Sequence, residues 1–173
     1  LEKSGEERRY LFGFEESYGY LTGTYVRDKD GVDGAVMICE MFSFYAAQGI
    51  RLTDQLAKLY ERYGYCRNTL HSYQFEGSAG FARMQGIMAA FRQGISTFGG
   101  KAVEKVLDYS AGLDGLPQAD VLKFYLDGGT TLVVRPSGTE PKLKLYLSVT
   151  AKDEAEAARI EQAILNDAEV YFR

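Results

Sequence analysis

Eight consecutive residues, Arg135-Pro136-Ser137-Gly138-Thr139-Glu140-Pro141-Lys142, gather a guanidinium, two hydroxyls, an ammonium and an unhindered glycine amide into one short stretch. That set of donors suits a phosphate. The guanidinium offers a planar fork matched to two phosphate oxygens, and Ser137 and Thr139 can donate hydroxyl protons to the same anion. Gly138 has no Cβ, so its N–H can approach closely and the turn can enter positive φ. Gly, Pro and Ser also mark ordinary connectors, so on composition alone the stretch is equally a stiff loop. Upstream, Gly13-Phe14-Glu15-Glu16-Ser17-Tyr18-Gly19 follows the apolar Tyr10-Leu11-Phe12 and sets two carboxylates and a hydroxyl among aromatic rings. Carboxylates accept from neighbouring O–H groups, as a grip on a vicinal diol needs, and aromatic rings cover a sugar's apolar face. Glu-Glu-Ser alone is more often a solvated turn or a helix start. Paired with the downstream loop, it points to a phosphosugar.

Such loops work only when rigid elements fix their direction. Val32, Ala35, Val36, Cys39, Phe42 and Tyr45 recur at helical spacing, and Gly49 is placed to end that helix. Met37, Ile38, Met41 and Phe44 make its other faces apolar too, the pattern of a helix buried on several sides. If the preceding part of its domain is absent, that surface needs another partner, and self-association or a rearranged N-terminal segment is expected. A second helix is predicted from Thr53 as N-cap, with Leu56, Leu59, Tyr60 and Tyr63 on one face before Gly64. Residues 64–70 then read as a hinge, with Cys66 near a turn. Beyond it come a strand over 69–75 and a helix capped by Ser78, bearing Phe81, Met84, Ile87, Met88 and Phe91 and ended by Gly94. Residues 102–109 fit a strand or a short helix. Asp127-Gly128-Gly129 between 121–126 and 130–134 is a hairpin signal. Residues 142–149 alternate by two, and Asp153, Glu154 and Glu156 open a last helix at the end its dipole favours. The class predicted is α+β, an antiparallel sheet with helices packed on one face, preceded by a mostly helical remnant of an α/β domain.

On these two loops, and on Arg27-Asp28-Lys29-Asp30-Gly31 after the first, the sequence resembles the α-D-phosphohexomutase superfamily, the phosphoglucomutases and phosphomannomutases, over nearly its whole length. Members of that superfamily have four domains around one cleft: a phosphoserine loop, a metal loop, a sugar-recognition loop and a phosphate-binding loop, one in each. The resemblance implies residues 1–64 as the C-terminal part of the sugar-binding third domain and 65–173 as the phosphate-binding C-terminal domain. It implies Glu15, Ser17 and Lys29 as sugar contacts, and Arg135, Ser137, Gly138 and Thr139 as phosphate contacts. Glu16 and the 27–31 run favour the glucomutase-like branch. Neither an Ala-Ser-His-Asn-Pro-like serine loop nor an aspartate-rich metal loop occurs here. No catalytic residue is therefore expected in this stretch, and the Mg²⁺ that the full-length enzyme would use is expected to be bound by the missing part. Positioning groups alone do not transfer a phosphoryl group. The reading is a C-terminal portion of a mutase that interconverts hexose 1- and 6-phosphates through a bisphosphate, recognising substrate without turning it over. The alternatives are a stand-alone phosphosugar-binding or regulatory module, and an interaction domain whose glycine-rich loops are structural.

Composition limits the partners. A net charge of −4, with bases interleaved among acids, argues against a nucleic-acid surface and fits a small anionic ligand at a local cationic loop. No apolar run nears the roughly 20 residues that cross a bilayer, and 1–9 is too charged for a signal peptide or anchor, so a soluble, cytoplasmic protein without membrane contact is expected. Position 1 is Leu rather than Met, which is read as truncation. Cys39 and Cys66 lack metal or disulfide spacing, and reduced cytosolic thiols are the simpler account. His71, the single histidine, has no acidic or cysteine neighbour at ligand spacing and reads as an ordinary surface or packed residue. Asp28, Asp30 and Asp33 resemble a calcium loop, but the third acid falls one position late and Cys39 stands where the bidentate glutamate belongs.

Overall fold

A computed structural model of the chain describes residues 2–15, 19–138 and 140–172. Two compact units divide it, Leu1–Leu59 and Tyr60–Arg173. In the first, strands β1 (Gly13–Glu15) and β2 (Gly19–Leu21) form an antiparallel hairpin with Glu15 opposite Gly19. Helix α1 (Gly31–Ala46) packs on β2. Its N-cap is Asp30, whose carboxylate accepts from the Val32 and Asp33 N–H groups and so satisfies two of the donors that a helix start leaves without partners. Gly34 lets helix and hairpin approach: a Cβ there would lie 2.9 Å from the Tyr20 Cβ. After Ala46 the chain closes with Ile50 N–H donating to the Tyr45 carbonyl, a turn that Gly49 permits at φ +69°. Most of the helix surface is uncovered within this unit, and Val32, Val36, Met37, Ile38, Met41, Phe42 and Phe44 are all exposed.

Helix α2 (Leu52–Tyr63) runs through the boundary between the units. Thr53 is not its cap. The Arg51 carbonyl accepts from Asp54 and Gln55, and the Arg51 side chain reaches forward to the Asp54 carboxylate at 2.8 Å, so capping begins two residues earlier than the hydroxyl suggested.

The second unit is built on alternation. Strand β8 (Lys142–Ala151) buries Leu143, Leu145, Leu147 and Val149 and turns Lys142, Lys144, Tyr146 and Ser148 to the other side, the period of two that a sheet with one covered face requires. Its neighbours are β3 (Tyr65–Gln74) and β7 (Thr130–Pro136), and β7 continues through β6 (Leu122–Leu126) and β5 (Lys101–Asp108) to β4 (Thr97–Phe98). The order is β3-β8-β7-β6-β5-β4, every pair antiparallel. Residues 101–108 are therefore strand, with a register shift between Val103 and Lys105. The β6–β7 turn forms where the hairpin signal placed it, through Gly128 and Gly129 at φ +75° and +76°. Helices α3 (Gly77–Arg92) and α4 (Glu154–Phe172) supply the other layer, with α4 packing on β8, β3 and β4 and touching α3. The class is α+β.

Two local expectations shift. Ser78 lies inside the first turn of α3, whose N-cap is Glu76 without a side-chain bond. Phe81 is exposed, and its place on the core face belongs to Gly80, where a Cβ would stand 2.8 Å from the Phe75 carbonyl carbon. Met84, Ile87, Met88 and Phe91 do face the core. At α4, Asp153 accepts from the Glu156 N–H at 2.8 Å and Glu156 reaches back to the Lys152 N–H, an acid-rich start as anticipated.

Residues 65–70 are the first half of β3 rather than a hinge, and Cys66 sits within that strand. The polar residues that disguise the strand have partners. Arg67, Thr69 and His71 alternate onto the helix-covered face, opposite Val149, Leu147 and Leu145, where Glu161 of α4 meets them. The Arg67 Nε donates to Glu161 at 2.6 Å, and His71 Nε2 lies 3.0 Å from its other oxygen. Burial pushes the Glu161 carboxyl up, but hydrogen bonds from Thr69, His71 and Arg67 outweigh it and hold the group below its ordinary value of 4.5. A carboxyl so lowered contributes stability above its unfolded value and loses it as pH falls through the folded one. Protection factors of the β3 amides, corrected for intrinsic exchange, should therefore fall as pH drops below about 4.5, and Glu161→Gln should flatten that dependence. Equal pH profiles for the two proteins would show that another carboxylate governs the edge.

Candidate functional site

In the first unit, Glu15 ends β1 and Lys29 lies in the segment leading to the α1 cap. The structure brings them together, with Lys29 Nζ 2.5 Å from Glu15 Oε1 and both side chains about half exposed. Gly19 makes the arrangement possible, because a Cβ there would stand 2.4 Å from the Glu15 Cγ. The pair borders a cleft of about 230 Å³ lined also by Tyr10, Tyr20, Arg27 and Asp28. Tyr10 is fixed by donating its hydroxyl to the Leu21 carbonyl at 2.9 Å. Two carboxylates, two cations and two phenol rings around a shallow cleft form a surface able to accept and donate to vicinal hydroxyls. Ser17, the third expected sugar contact, lies outside the described residues.

The three aspartates of the calcium-like run are each engaged elsewhere. Asp28 accepts from the Lys29 N–H, Asp33 from the Thr22 N–H and hydroxyl, and Asp30 caps α1. Tyr25 also donates its hydroxyl to Asp30 at 2.6 Å, a bond that pushes the phenol up to about 12 and holds the Asp30 carboxyl below its usual range. Among the described residues no group of three or more His, Cys, Asp or Glu side chains could hold a metal ion.

In the second unit, the 136–141 segment joins two central strands. Ser137 N–H donates to the Lys142 carbonyl and Lys142 N–H to the Glu140 carbonyl, each at 2.7 Å, while Phe75 N–H donates to the Pro141 carbonyl at 2.9 Å. These bonds tie the turn to itself and to the end of β3, so its direction follows from the sheet. Lys142 Nζ lies 3.0 Å from Glu140. Arg135 is exposed at the end of β7, directly opposite Lys144 on β8. Gly138 is exposed as well, but not because the turn needs an unusual backbone: its φ is outside the left-handed region, and a Cβ there would meet nothing within 4 Å. Its use is open space over an amide. Thr139 lies outside the described residues.

Sequence reasoning did not place Tyr10, Arg27 and Asp28 in the cleft beside Glu15, nor Lys144 on the face of Arg135. The alternation 142, 144, 146 carried the signal for Lys144, because residues two apart share a face once the β7–β8 register is known. No local pattern marks Tyr10.

Comparison with known proteins follows these two loops. The family model described as Phosphoglucomutase/phosphomannomutase, C-terminal domain, matches residues 75–167, and the one described as Phosphoglucomutase/phosphomannomutase, alpha/beta/alpha domain III, matches residues 2–63. The chain belongs to the phosphoglucomutase/phosphomannomutase family. A phosphoglucomutase of Staphylococcus epidermidis is 36% identical over 177 residues, covering 92% of this chain and 32% of the relative. A phosphoglucomutase of Staphylococcus aureus is 34% identical over 173 residues, covering 92% and 31%. The chain thus spans about a third of the length of the curated relatives it matches. Among solved structures, the open form of the exocytosis-sensitive phosphoprotein pp63/parafusin, a phosphoglucomutase from Paramecium, shares the fold with a TM-score of 0.61 at 18% identity, over 92% of this chain and 29% of that one.

Proposed function

We propose that this chain supplies substrate recognition to a phosphoglucomutase-like phosphohexomutase, an intramolecular phosphotransferase interconverting hexose 1- and 6-phosphates through a bisphosphate. Residues 1–64 act as the C-terminal part of the sugar-binding domain, with Glu15, Ser17 and Lys29 on sugar hydroxyls. Residues 65–173 act as the phosphate-binding domain, with Arg135, Ser137, Gly138 and Thr139 on the phosphate. Phosphoryl transfer and its Mg²⁺ belong to polypeptide of the relatives' greater length, and this chain by itself binds without turnover. The setting proposed is the cytoplasm. Among the described residues no helix is long and apolar enough to cross a membrane. The exposed apolar residues of α1 support self-association of the 173-residue chain.

The observation that carries the reading is Arg135, held exposed by a central strand at the mouth of the 136–141 turn. A guanidinium there can meet two phosphate oxygens at once, whereas an ammonium is a point charge. Arg135→Lys should weaken binding of inorganic phosphate or glucose 6-phosphate, read by titration calorimetry, by about ten-fold, the loss of one bond to a charged group. An unchanged affinity would remove Arg135 from the site.

A further inference from the structure

Lys29 stands on a strap, residues 22–30, that joins β2 to α1, and side chains of this strap reach two carboxylates at the start of the helix. Where the strap leaves β2, Thr22 donates its N–H at 2.8 Å and its hydroxyl at 2.7 Å to Asp33 in the first helical turn. Thr22 and Asp33 are half-buried, which strengthens bonds that solvent would otherwise contest. Halfway along, Tyr25 folds back over Gly23, where a Cβ would stand 2.8 Å from the ring, and donates its hydroxyl to Asp30 at 2.6 Å. Where the strap ends, the Asp30 N–H donates to the Tyr20 carbonyl at 2.7 Å.

Each carboxylate therefore serves two elements at once. Asp30 gives one oxygen to the Val32 and Asp33 N–H groups, which starts α1, and the other to Tyr25, which closes the strap. A helix start favours negative charge, so α1 keeps both acceptors where the strap's hydroxyls need them. Lys29 immediately precedes Asp30, and its Nζ lies 2.5 Å from Glu15 Oε1 across the cleft. A lysine is a point charge on a flexible stem, and an exposed ion pair does little to hold it. What fixes the ammonium beside Glu15 is the backbone that carries it. On a loose strap an arriving ligand would have to order that backbone and side chain, at a cost taken from its affinity.

We infer that Thr22 and Tyr25 are positioning residues for the sugar contact at Lys29: their hydroxyls hang the strap on Asp33 and Asp30 and so hold the ammonium in place before a ligand arrives. The inference rests on the reading of Glu15 and Lys29 as sugar contacts. In this role both residues act through Lys29 and neither touches the ligand.

Double-mutant cycles read by titration calorimetry on the 173-residue chain test it, with glucose 6-phosphate and inorganic phosphate as probes. Lys29→Met sets the scale and should weaken glucose 6-phosphate binding about ten-fold, the loss of one bond to a charged group. Thr22→Val and Tyr25→Phe each remove a hydroxyl at nearly constant shape and should each weaken it about three-fold, the cost of ordering one freed side chain. Thr22→Ser, which keeps the hydroxyl, should stay within about two-fold of the unsubstituted chain. In the Lys29→Met background neither Thr22→Val nor Tyr25→Phe should weaken binding further, because the group they position is gone. A merely structural role would not produce that non-additivity, so losses that persist undiminished in Lys29→Met, or that extend equally to inorganic phosphate, would overturn the inference. Tyr25 is exposed, so Tyr25→Phe puts no core packing at risk, and full glucose 6-phosphate affinity in that variant beside a loss in Lys29→Met would remove the strap's role alone. Full affinity in Lys29→Met would remove the sugar reading itself, and the inference with it.

Discussion

Phe91→Ala should cost the second unit about 4 kcal/mol, the range for emptying a large aromatic site in a packed core. Phe91 is almost completely buried and is the hub of an aromatic cluster. Its ring centroid lies 4.9 Å from Tyr171, 5.9 Å from Phe98, 6.0 Å from Phe124 and 6.1 Å from Phe172, so one ring ties α3 to β4, β6 and the end of α4. Truncation removes the transfer free energy of the side chain and leaves a cavity whose walls, being rings on three other elements, collapse poorly. Urea unfolding followed by tyrosine fluorescence would register the loss, since the chain has 13 tyrosines and no tryptophan to mask them. Phosphate affinity of the fraction still folded should stay near that of the unsubstituted chain, because the 136–141 turn is held by its own backbone bonds. A loss below about 1 kcal/mol would mean the rings pack loosely.

Gly99→Ala comes second, at about 3 kcal/mol. Gly99 lies between β4 and β5 at φ +56°, a conformation that L side chains seldom adopt. Space is as short as conformation: an added Cβ would stand 2.8 Å from the Ile164 amide nitrogen and 3.0 Å from the Ala163 carbonyl carbon, and neither backbone atom can swing aside. The Gly99 N–H also donates to Asp167 of α4 at 2.7 Å, so moving the turn to make room breaks a bond to a charged group. Gly100, also at positive φ but with nothing within 4 Å of an added Cβ, is the control that isolates the conformational part. Chemical denaturation of the two variants side by side should show Gly99→Ala as clearly the worse, and equal losses would mean that α4 yields.

What could be read from the sequence, and what could not, divides along one physical line. The β8 strand, the β6–β7 hairpin and the acid-rich start of α4 are governed by neighbours in sequence, and each formed where it was expected. The 135–142 run and the Glu15 loop stood out for the same reason, being contiguous runs of donors and acceptors. The first half of β3 was mistaken for a hinge because Arg67, Thr69 and His71 look solvated, and the carboxylate that lets them turn inward arrives only at Glu161. Phe81 displaced Gly80 from the predicted core because a periodicity count favours the larger apolar residue, whereas close approach of Phe75 to the helix demands the smallest. Thr53 lost its capping role to Arg51, whose contact with Asp54 a preference table does not foresee. Gly138 was credited with conformational freedom it does not use. In the first unit, Tyr10 and Arg27 are joined to Glu15 by a cleft wall and by nothing in their local spacing.

The pairing of β7 with β8 behaves like a reading frame. Slide β8 by one position and Leu143, Leu145 and Leu147 come to water while Lys144 enters the hydrocarbon. A single residue gained or lost inside that strand would turn the core face outward and break the fold. The same change in the exposed part of the 136–141 turn leaves the frame intact but moves Ser137 and Gly138 away from Arg135, so on the proposed reading it would cost phosphate binding while sparing the sheet.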